Sequence, residues 1–579
     1  MKLKLCLWAF LYCFLLAACS EEDGLKPTLA FISSQENYVL DGNKNEKVTI
    51  EFYSSYDWKA EIDADWAAVY PKSGHAGAAS VTISMRESNR SMATRQGTLT
   101  LTAGNFVQTR TFQQSEIQTI NVKQDEFTVP AEGQEILIEF ETNVKGTPRI
   151  SGYEDALEWI TISHNDKNTR TVTDGSYKLT VQANRLRSER SAQFWLEVVD
   201  EEENDRVVMS SPKIDVTQEG LPVGTSADLA TNDKAVKKLY THSKGTGIPV
   251  VLMGDGFIDT EIANGFYDKV IQKGLENLFT EEPFKSLKEY FDVWSVTAVS
   301  PNNSFEDPYV TKFNCKLEGG GSTLIDGNKE TVIEYVKAVS ELANNPALFD
   351  ETLAIVLLNT EEYAGTTYFS FEPTAPGSNK KYSEFAIGYC PIIDGVDAER
   401  FRQVLVHECV GHGFAKLLDE YSYESMGEIS EEEKATYQEL QEDLGWAVNV
   451  DFTDDTFYIR WSDLCQDENY GEEDAYGELL GAYEGGATYW TGVWRPTENS
   501  MMRHNEHGFN APSRRAIYTR VMKSGIGDDW TYCHDEFVRF DQAHLPQPTV
   551  EQLYAPVSRS VQSSPALPSP RFVSGPLSE

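Results

Sequence analysis

The chain has 579 residues, of which 91 are Asp or Glu and 50 are Lys or Arg, so its formal net charge is −41. A chain of this length is too long for one hydrophobic core and predicts about three or four domains. So acidic a surface repels phosphate backbones and anionic membranes, which argues against nucleic acid as a partner.

Residues 1–19 read as a targeting segment. Lys2 and Lys4 precede an apolar run over residues 5–18, which is too short to span a bilayer. The run ends in Leu16-Ala17-Ala18-Cys19, which resembles a bacterial lipobox in which Cys19 is lipidated. An ordinary signal peptide with an incidental cysteine is the alternative.

Residues 20–30 are predicted to be a linker. Their acidic start, residues 20–23, resembles the surface-export signal of Bacteroidetes-type lipoproteins. The expected location is therefore the outer membrane, with the protein exposed at the cell surface and held to the membrane only by its lipid anchor.

Residues 31–116 and 117–220 predict two all-β sandwich domains. Apolar and polar residues alternate over 48–52, 81–85 and 97–102, as in half-buried strands. Trp66 has a counterpart in Trp159, and the pair Asn89 and Arg95 has one in Asn184 and Arg190. This predicts an internal repeat of about a hundred residues.

Both sandwiches resemble the BACON domain, the first more closely through Trp66, residues 71–74 and Arg95. The resemblance implies glycan binding, and a role as a spacer is the alternative. Trp58 and Trp66 are the aromatic side chains for stacking on sugar, although a tryptophan in a sandwich is more often part of the core.

Residues 221–555 change to an α/β pattern. Residues 248–253, 293–299 and 353–358 read as buried strands, and a helical stretch runs from the first strand to about Tyr290. Strands that alternate with helices predict a mainly parallel sheet. Residues 556–579, rich in Pro and Ser, are predicted to be a disordered tail.

The candidate catalytic residues His407, Glu408 and His412 lie in one segment, residues 398–421. Apolar residues recur there at the spacing of a helix. Zinc peptidases commonly use HExxH, in which two histidines four residues apart bind one ion. Here the spacing is five residues, which at about 100° per residue turns the second imidazole about 140° away. A π-bulge would restore the alignment, and Gly411 is a plausible place for the distortion.

This segment, with Gly411-His412-Gly413-Phe414 and Asp419-Glu420-Tyr421, resembles the IgA-peptidase-type metallopeptidase family, whose helix reads HE-(A/F)-xGHxFxxLxDEY. The resemblance implies a metzincin-like, zincin-like α/β domain with one Zn²⁺ per chain. It extends over about 300 residues, through residues 251–257, 290–294, 484–486, 494–496 and 500–503.

A catalytic zinc needs a third protein ligand and an open position for water. Asp419 is the first choice for that ligand and Glu420 the second, because metzincin-type helices end at a glycine-mediated turn with the third ligand shortly beyond it. A pair of surface charges at the helix end is the alternative for both residues.

Three further positions are candidates by the same resemblance. Met501 or Met502 would form the Met-turn beneath the zinc, unless they are ordinary core methionines. His504 would polarise the substrate, or is a surface histidine. Tyr421 would donate a hydrogen bond to the oxyanion, or packs at the helix end.

Glu408 follows the first histidine directly, as the general base does in these enzymes, with zinc-bound water as the nucleophile. The sequence thus predicts a surface-anchored zinc endopeptidase that hydrolyses peptide bonds of host or dietary proteins and glycoproteins. Two alternatives stay open: a glycan- or protein-binding lipoprotein with a degenerate peptidase fold, and a zinc enzyme that acts on another bond, such as a glycoconjugate amide.

Overall fold

The structure is a computed structural model that describes residues 28–546 and 571–573, except 92, 145, 153–155, 158, 166–172, 201–205, 320–321 and 528. The predicted signal peptide, Cys19 and most of the predicted tail lie outside the described residues. Within the tail, Arg571–Phe572 forms a strand, so the prediction of disorder is wrong there. The described residues form two compact units: one holds those up to Ala183 together with Arg190–Gln218, and the other holds Asn184–Glu189 together with those from Glu219 onward. No described helix combines the length and the apolar character that a membrane crossing requires.

The first unit is built of β-strands around two separate cores. Its first nine strands are β1 (Leu29–Phe31), β2 (Asn37–Leu40), β3 (Lys47–Ser54), β4 (Trp58–Ile62), β5 (Ala67–Tyr70), β6 (Ser73–Gly74), β7 (Gly77–Met85), β8 (Arg95–Ala103) and β9 (Phe106–Gln114). They form two sheets, with strand orders β1-β3-β7-β5 and β2-β9-β8-β4-β6. The predicted strands at 48–52, 81–85 and 97–102 lie within β3, β7 and β8, with alternate side chains buried.

The next nine strands enclose the second core. They are β10 (Ile120–Val122), β11 (Glu126–Val129), β12 (Gln134–Thr142), β13 (Arg149–Ser151), β14 (Ile160–Asn165), β15 (Thr173–Val181), β16 (Arg190–Asp200), β17 (Arg206–Ser210) and β18 (Ile214–Gln218). The sheets run β10-β12-β15-β14 and β11-β18-β16-β13, and β17 pairs with β16.

The predicted internal repeat is present, and it includes matching side-chain contacts in the two halves. In each half a buried glutamine accepts a 2.9 Å hydrogen bond from an arginine Nε, and the guanidinium of that arginine lies 4.5 Å from the centre of a tryptophan ring. The two sets are Gln114, Arg95 and Trp66, and Gln218, Arg190 and Trp159. Arg95 therefore stacks on Trp66, one of the two tryptophans that the sequence suggests for sugar binding. The other, Trp58, is a core residue and only 4% exposed.

The second unit contains the remaining strands: β19 (Val236–Tyr240), β20 (Ile248–Asp255), β21 (Phe291–Val296), β22 (Lys316–Gly319), β23 (Ser322–Asp326), β24 (Leu353–Leu358), β25 (Thr366–Phe369), β26 (Ala386–Pro391), β27 (Ser422–Glu428), β28 (Tyr483–Gly486), β29 (Thr488–Arg495) and β30 (Arg571–Phe572). Seven of them form one sheet in the order β19-β21-β20-β24-β26-β25-β30. The inner strands β21, β20, β24 and β26 are parallel, as predicted, and β25 is antiparallel to β26.

The helices of this unit are α1 (Asp259–Ala263), α2 (Phe266–Leu278), α3 (Lys329–Val336), α4 (Ser340–Ala343), α5 (Pro346–Phe349), α6 (Glu399–Leu405), α7 (Glu431–Asp443), α8 (Ser462–Cys465), α9 (Met501–His504), α10 (Ala511–Ile526) and α11 (His534–Ala543), with a π-helix at Val406–Phe414 and 3₁₀ turns at Lys288–Tyr290 and Glu468–Tyr470. The stretch predicted to be helical up to Tyr290 is α-helical only to Leu278, and Lys288–Tyr290 at its end is a 3₁₀ turn.

Both faces of the seven-stranded sheet are covered, because every residue of β20 and β24 is buried. Alternate residues of β24 belong to two cores: Ile355 and Leu357 pack with α2, α6 and the π-helix, and Ala354 and Val356 pack with α3. The π-helix thus lies on one face of the sheet, beside β25 and β26.

We expect Gln114→Leu to destabilise the first sandwich by about 2–4 kcal/mol, because the Arg95 guanidinium and the Gly42 and Glu87 carbonyls lose a buried partner. Calorimetry should show one unfolding transition lowered by roughly 10 °C or more. Gln113→Leu, the same change on the outer face of β9, is the control and should leave the transitions within about 2 °C of wild type. Equal transition temperatures for the two variants would contradict the structural role of the glutamine.

Candidate active site

The candidate active site begins with a change of helix type. α6 runs directly into the π-helix Val406–Phe414, in which the Ala415 N–H donates to the carbonyl of Val410, five residues back, at 2.9 Å. The distortion predicted from the five-residue spacing is therefore present. It brings His407 and His412 together, with 4.7 Å between ring centroids.

Gly411 lies inside this helix for a reason that the sequence did not reveal. A Cβ atom at this position would lie 2.3 Å from Sδ of Met502. Met502 is fully buried, so the methionine fills the space that a side chain would need. The glycine permits close packing of the helix on α9.

Each imidazole is oriented by a main-chain carbonyl. His407 Nδ1 donates to the Met501 carbonyl at 2.9 Å, and His412 Nδ1 donates to the Leu417 carbonyl at 2.7 Å. When such a ring is neutral its single N–H is on Nδ1, so the Nε2 on its other side is the atom that can bind an ion. Both Nε2 atoms lie 3.2 Å from Oδ1 of Asp419.

The chain returns to the histidines through a turn at Lys416. This residue has a φ of +54°, a left-handed conformation that costs a non-glycine residue about 1 kcal/mol. Its Nζ is fully buried and donates to the carbonyls of Gly413 and Glu384, and burial lowers its pKa well below the usual range. In metzincin-type enzymes a glycine mediates this turn; here a lysine occupies it, and the buried lysine side chain anchors the turn.

Asp419 and Glu420 point to different places. Asp419 is fully buried beside the two histidines; burial by itself would raise its pKa, but His412 and His407 favour the carboxylate and bring the pKa to about 2. The Glu420 carboxylate accepts hydrogen bonds from Ser500, Asn449 and Asn510. The interpretation of the pair as surface charges is wrong, and Glu420 supports the loop around α9 rather than joining the histidines.

Glu408 shares the fully buried environment of the histidines. Its Oε2 accepts a 2.8 Å hydrogen bond from Thr367 Oγ1, and its Oε1 has no hydrogen-bond partner among the described residues. Burial is the main reason that its pKa rises to about 8. Thr367 belongs to β25 and lies 41 residues away in sequence, so no local pattern around Glu408 indicated it.

The remaining candidate residues, Tyr421, the two methionines and His504, lie in different surroundings. Tyr421 is buried, and burial together with the nearby Asp419 and Glu408 carboxylates raises its pKa well above the usual value, so its hydroxyl stays protonated. Met501 and Met502 are fully buried beneath the π-helix, and the Met501 carbonyl contacts His407. His504 is exposed at the end of α9, and no described contact joins it to the histidine pair.

His407, His412 and Asp419 bring their ligand atoms within 4.8 Å of one another, which is a donor set for a metal ion. A buried cluster of this kind beside a carboxylate on an α/β scaffold is the arrangement of metal-dependent hydrolases. Residues 238–471 and 466–521 match the family model described as IgA Peptidase M64, the peptidase family that the sequence resembles. Residues 30–116 match a model described as Viral BACON domain.

No curated protein matches the sequence. Similar solved structures include a Bacteroides ovatus GH5 xyloglucanase, with 18% identity over 18% of this chain and 22% of that chain and a TM-score of 0.15. A protein from Bacteroides thetaiotaomicron, solved by NMR, has 15% identity over 17% of this chain and 97% of that chain, with a TM-score of 0.13. With such low TM-scores, neither likeness carries an argument about fold or function.

We expect Asp419→Asn to lower the affinity for the metal by more than about a hundredfold, because the neutral amide removes the anionic ligand. Glu420→Gln is the matched control: it should keep one metal ion per chain but lower the melting temperature, because its amide N–H₂ would replace one carboxylate oxygen and face two donors. Metal content after dialysis against a chelator buffer measures both. Full metal in Asp419→Asn together with loss in Glu420→Gln would identify Glu420 as the third ligand.

Proposed function

We propose that the second unit is a zincin-like, zinc-dependent endopeptidase with one Zn²⁺ per chain. His407, His412 and Asp419 would hold the ion, and Glu408 would act as general base. One observation carries the proposal: the Nε2 atoms of two imidazoles and a carboxylate oxygen converge in a fully buried site.

The spacing of these atoms fits zinc. Ligands at about 2.0–2.1 Å from a tetrahedral ion lie about 3.3–3.4 Å apart. Both Nε2 atoms lie 3.2 Å from Asp419 Oδ1. Two neutral nitrogens and one oxygen are ligands that zinc accepts, and the carbonyl contacts at both Nδ1 atoms supply the outer hydrogen bonds that orient histidine ligands.

When bound, zinc acidifies water and polarises a carbonyl as a Lewis acid. The residues of the chain do the rest. Glu408 Oε1, which has no other partner among the described residues, accepts a proton from the attacking water and returns it to the leaving amine. The Tyr421 hydroxyl, which is hydrogen-bonded to Asp419, would turn to donate to the substrate carbonyl oxygen as negative charge develops there.

The proposed substrates are proteins or glycoproteins, and the match to a peptidase family supports this choice over the glycoconjugate-amide alternative. The binding-lipoprotein alternative loses support because a degenerate site has no reason to keep two oriented imidazoles, a carboxylate and Glu408 together. Glycan binding by the sandwiches is a weaker proposal, because Arg95 and Arg190 already stack on Trp66 and Trp159.

We also propose that the protein is a surface-exposed outer-membrane lipoprotein anchored through Cys19. The support is the Leu16-Ala17-Ala18-Cys19 sequence and the acidic residues that follow it.

Cys19→Ala should release the protein from the membrane fraction, because the thiol that carries the lipid is missing. Labelling of cells with radioactive palmitate, followed by fractionation, measures this. Protease treatment of intact cells tests surface exposure separately. Wild-type protein that takes up no label would exclude the lipid anchor.

Glu408→Gln should lower activity by at least roughly a hundredfold, mainly in kcat, because the amide cannot accept the proton of water. The metal content should stay at one ion per chain, since Glu408 is not a proposed ligand. His407→Ala should instead lose both metal and activity. Both are measured by peptide hydrolysis and metal analysis.

A Glu408→Gln variant that cleaves peptides at the wild-type rate would exclude Glu408 as the base. Wild type and variant that bind zinc but are equally inactive on a broad peptide library would favour the binding-lipoprotein alternative.

A further inference from the structure

Strand β25 contacts Glu408 through one of its faces. Successive residues of a strand point to opposite sides, so Gly365, immediately before β25, shares a face with Thr367. Both approach the Glu408 side chain, Thr367 by a hydrogen bond and Gly365 by close packing. Thr366, between them, points away and binds the Ile325 N–H at 2.8 Å.

The Thr367 hydroxyl reaches two atoms of Glu408. Oγ1 lies 2.8 Å from the side-chain Oε2 and 2.9 Å from the main-chain carbonyl oxygen of the same residue. A hydroxyl has one hydrogen, so it donates to one of these oxygens at a time. Because Thr367 and Glu408 are both fully buried, solvent does not replace this donor.

Gly365 leaves the space that the carboxylate occupies. A Cβ atom here would lie 3.0 Å from both Cγ and Oε1 of Glu408 and 2.9 Å from a methyl group of Val404. Such contacts are tighter than side chains accept without movement. Any larger residue at this position would therefore displace the carboxylate.

From this geometry we infer that β25 is the element that positions the general base, with Thr367 as the positioning residue and Gly365 as the required gap. Thr367 holds Oε2, so that Oε1 is the oxygen left to exchange the proton. The inference rests on the proposed function of Glu408, and it adds two residues outside the HExxxH helix to the determinants of the reaction.

The test compares Thr367→Val, which keeps the shape and removes the hydroxyl, with Thr367→Ser, which keeps the hydroxyl. Loss of a hydrogen bond to a charged group predicts a fall in kcat of about tenfold to a hundredfold for the valine variant, with KM within about twofold and full zinc. The serine variant should recover kcat to within about fivefold of wild type. Thr366→Val, the same change on the opposite face, is the control and should keep kcat within about threefold.

A second pair of measurements separates positioning from general damage. In the Glu408→Gln background, Thr367→Val should cause less than about a twofold further loss, because the base that it positions is already absent. Gly365→Ala should lower kcat in the wild-type background while zinc stays bound, and it keeps the inference testable if Thr367→Val folds poorly.

The outcomes are distinguishable. Activity that depends on Glu408 but is unchanged in Thr367→Val, or equal losses in the valine and serine variants, would overturn the positioning role alone. Equal losses from Thr367→Val with and without Glu408 would also overturn it, since they indicate a structural effect. A wild type without peptidase activity, or a Glu408→Gln variant as active as wild type, would contradict the proposed function and with it this inference.

Discussion

The five-residue separation of His407 and His412 is the constraint on which the site depends. In a regular α-helix the two rings would point in different directions, and no ion could contact both. The π-helix at Val406–Phe414 removes this conflict. Each hydrogen bond of a π-helix spans five residues instead of the four of an α-helix and is less favourable. Contacts with neighbouring elements therefore have to stabilise it.

Those contacts come from one side of the π-helix and from its C-terminal end. Met502 packs into the space at Gly411, and the buried Lys416 side chain donates through Nζ to the carbonyls of Gly413 and Glu384 at the helix end. The same turn brings the Leu417 carbonyl to His412 and Asp419 to both rings. The distortion and the turn that follows it thus direct His412 and Asp419 toward His407, whose own ring is oriented by the Met501 carbonyl.

The polar groups around the site form three layers, ordered by how directly each would take part in the proposed reaction. The inner layer is the histidine pair with Asp419. Outside it, the carbonyls of Met501 and Leu417 orient the rings, and Thr367 holds Glu408. Farther out, the Glu420 carboxylate joins the loop before α9 to α10 through Ser500 and Asn510. A change in an outer layer should therefore act on the site through position rather than through charge.

The sequence by itself determined the parts that depend on local pattern. Alternation predicted the strands of the first sandwich, matched tryptophan and arginine positions predicted the repeat, and buried runs predicted the parallel strands β20 and β24. The His407–His412 spacing, read against helix geometry, predicted the π distortion, because that argument needs only neighbours along the chain.

Tertiary structure decided what depends on residues distant in sequence. The sequence left Asp419 and Glu420 as alternatives, since adjacent carboxylates look equivalent until the turn at Lys416 directs one to the histidines and Asn449, Ser500 and Asn510 surround the other. It also could not indicate Thr367 or Gly365. They reach Glu408 only because β25 lies beside the π-helix in the folded sheet, and such proximity leaves no periodic signal in the chain.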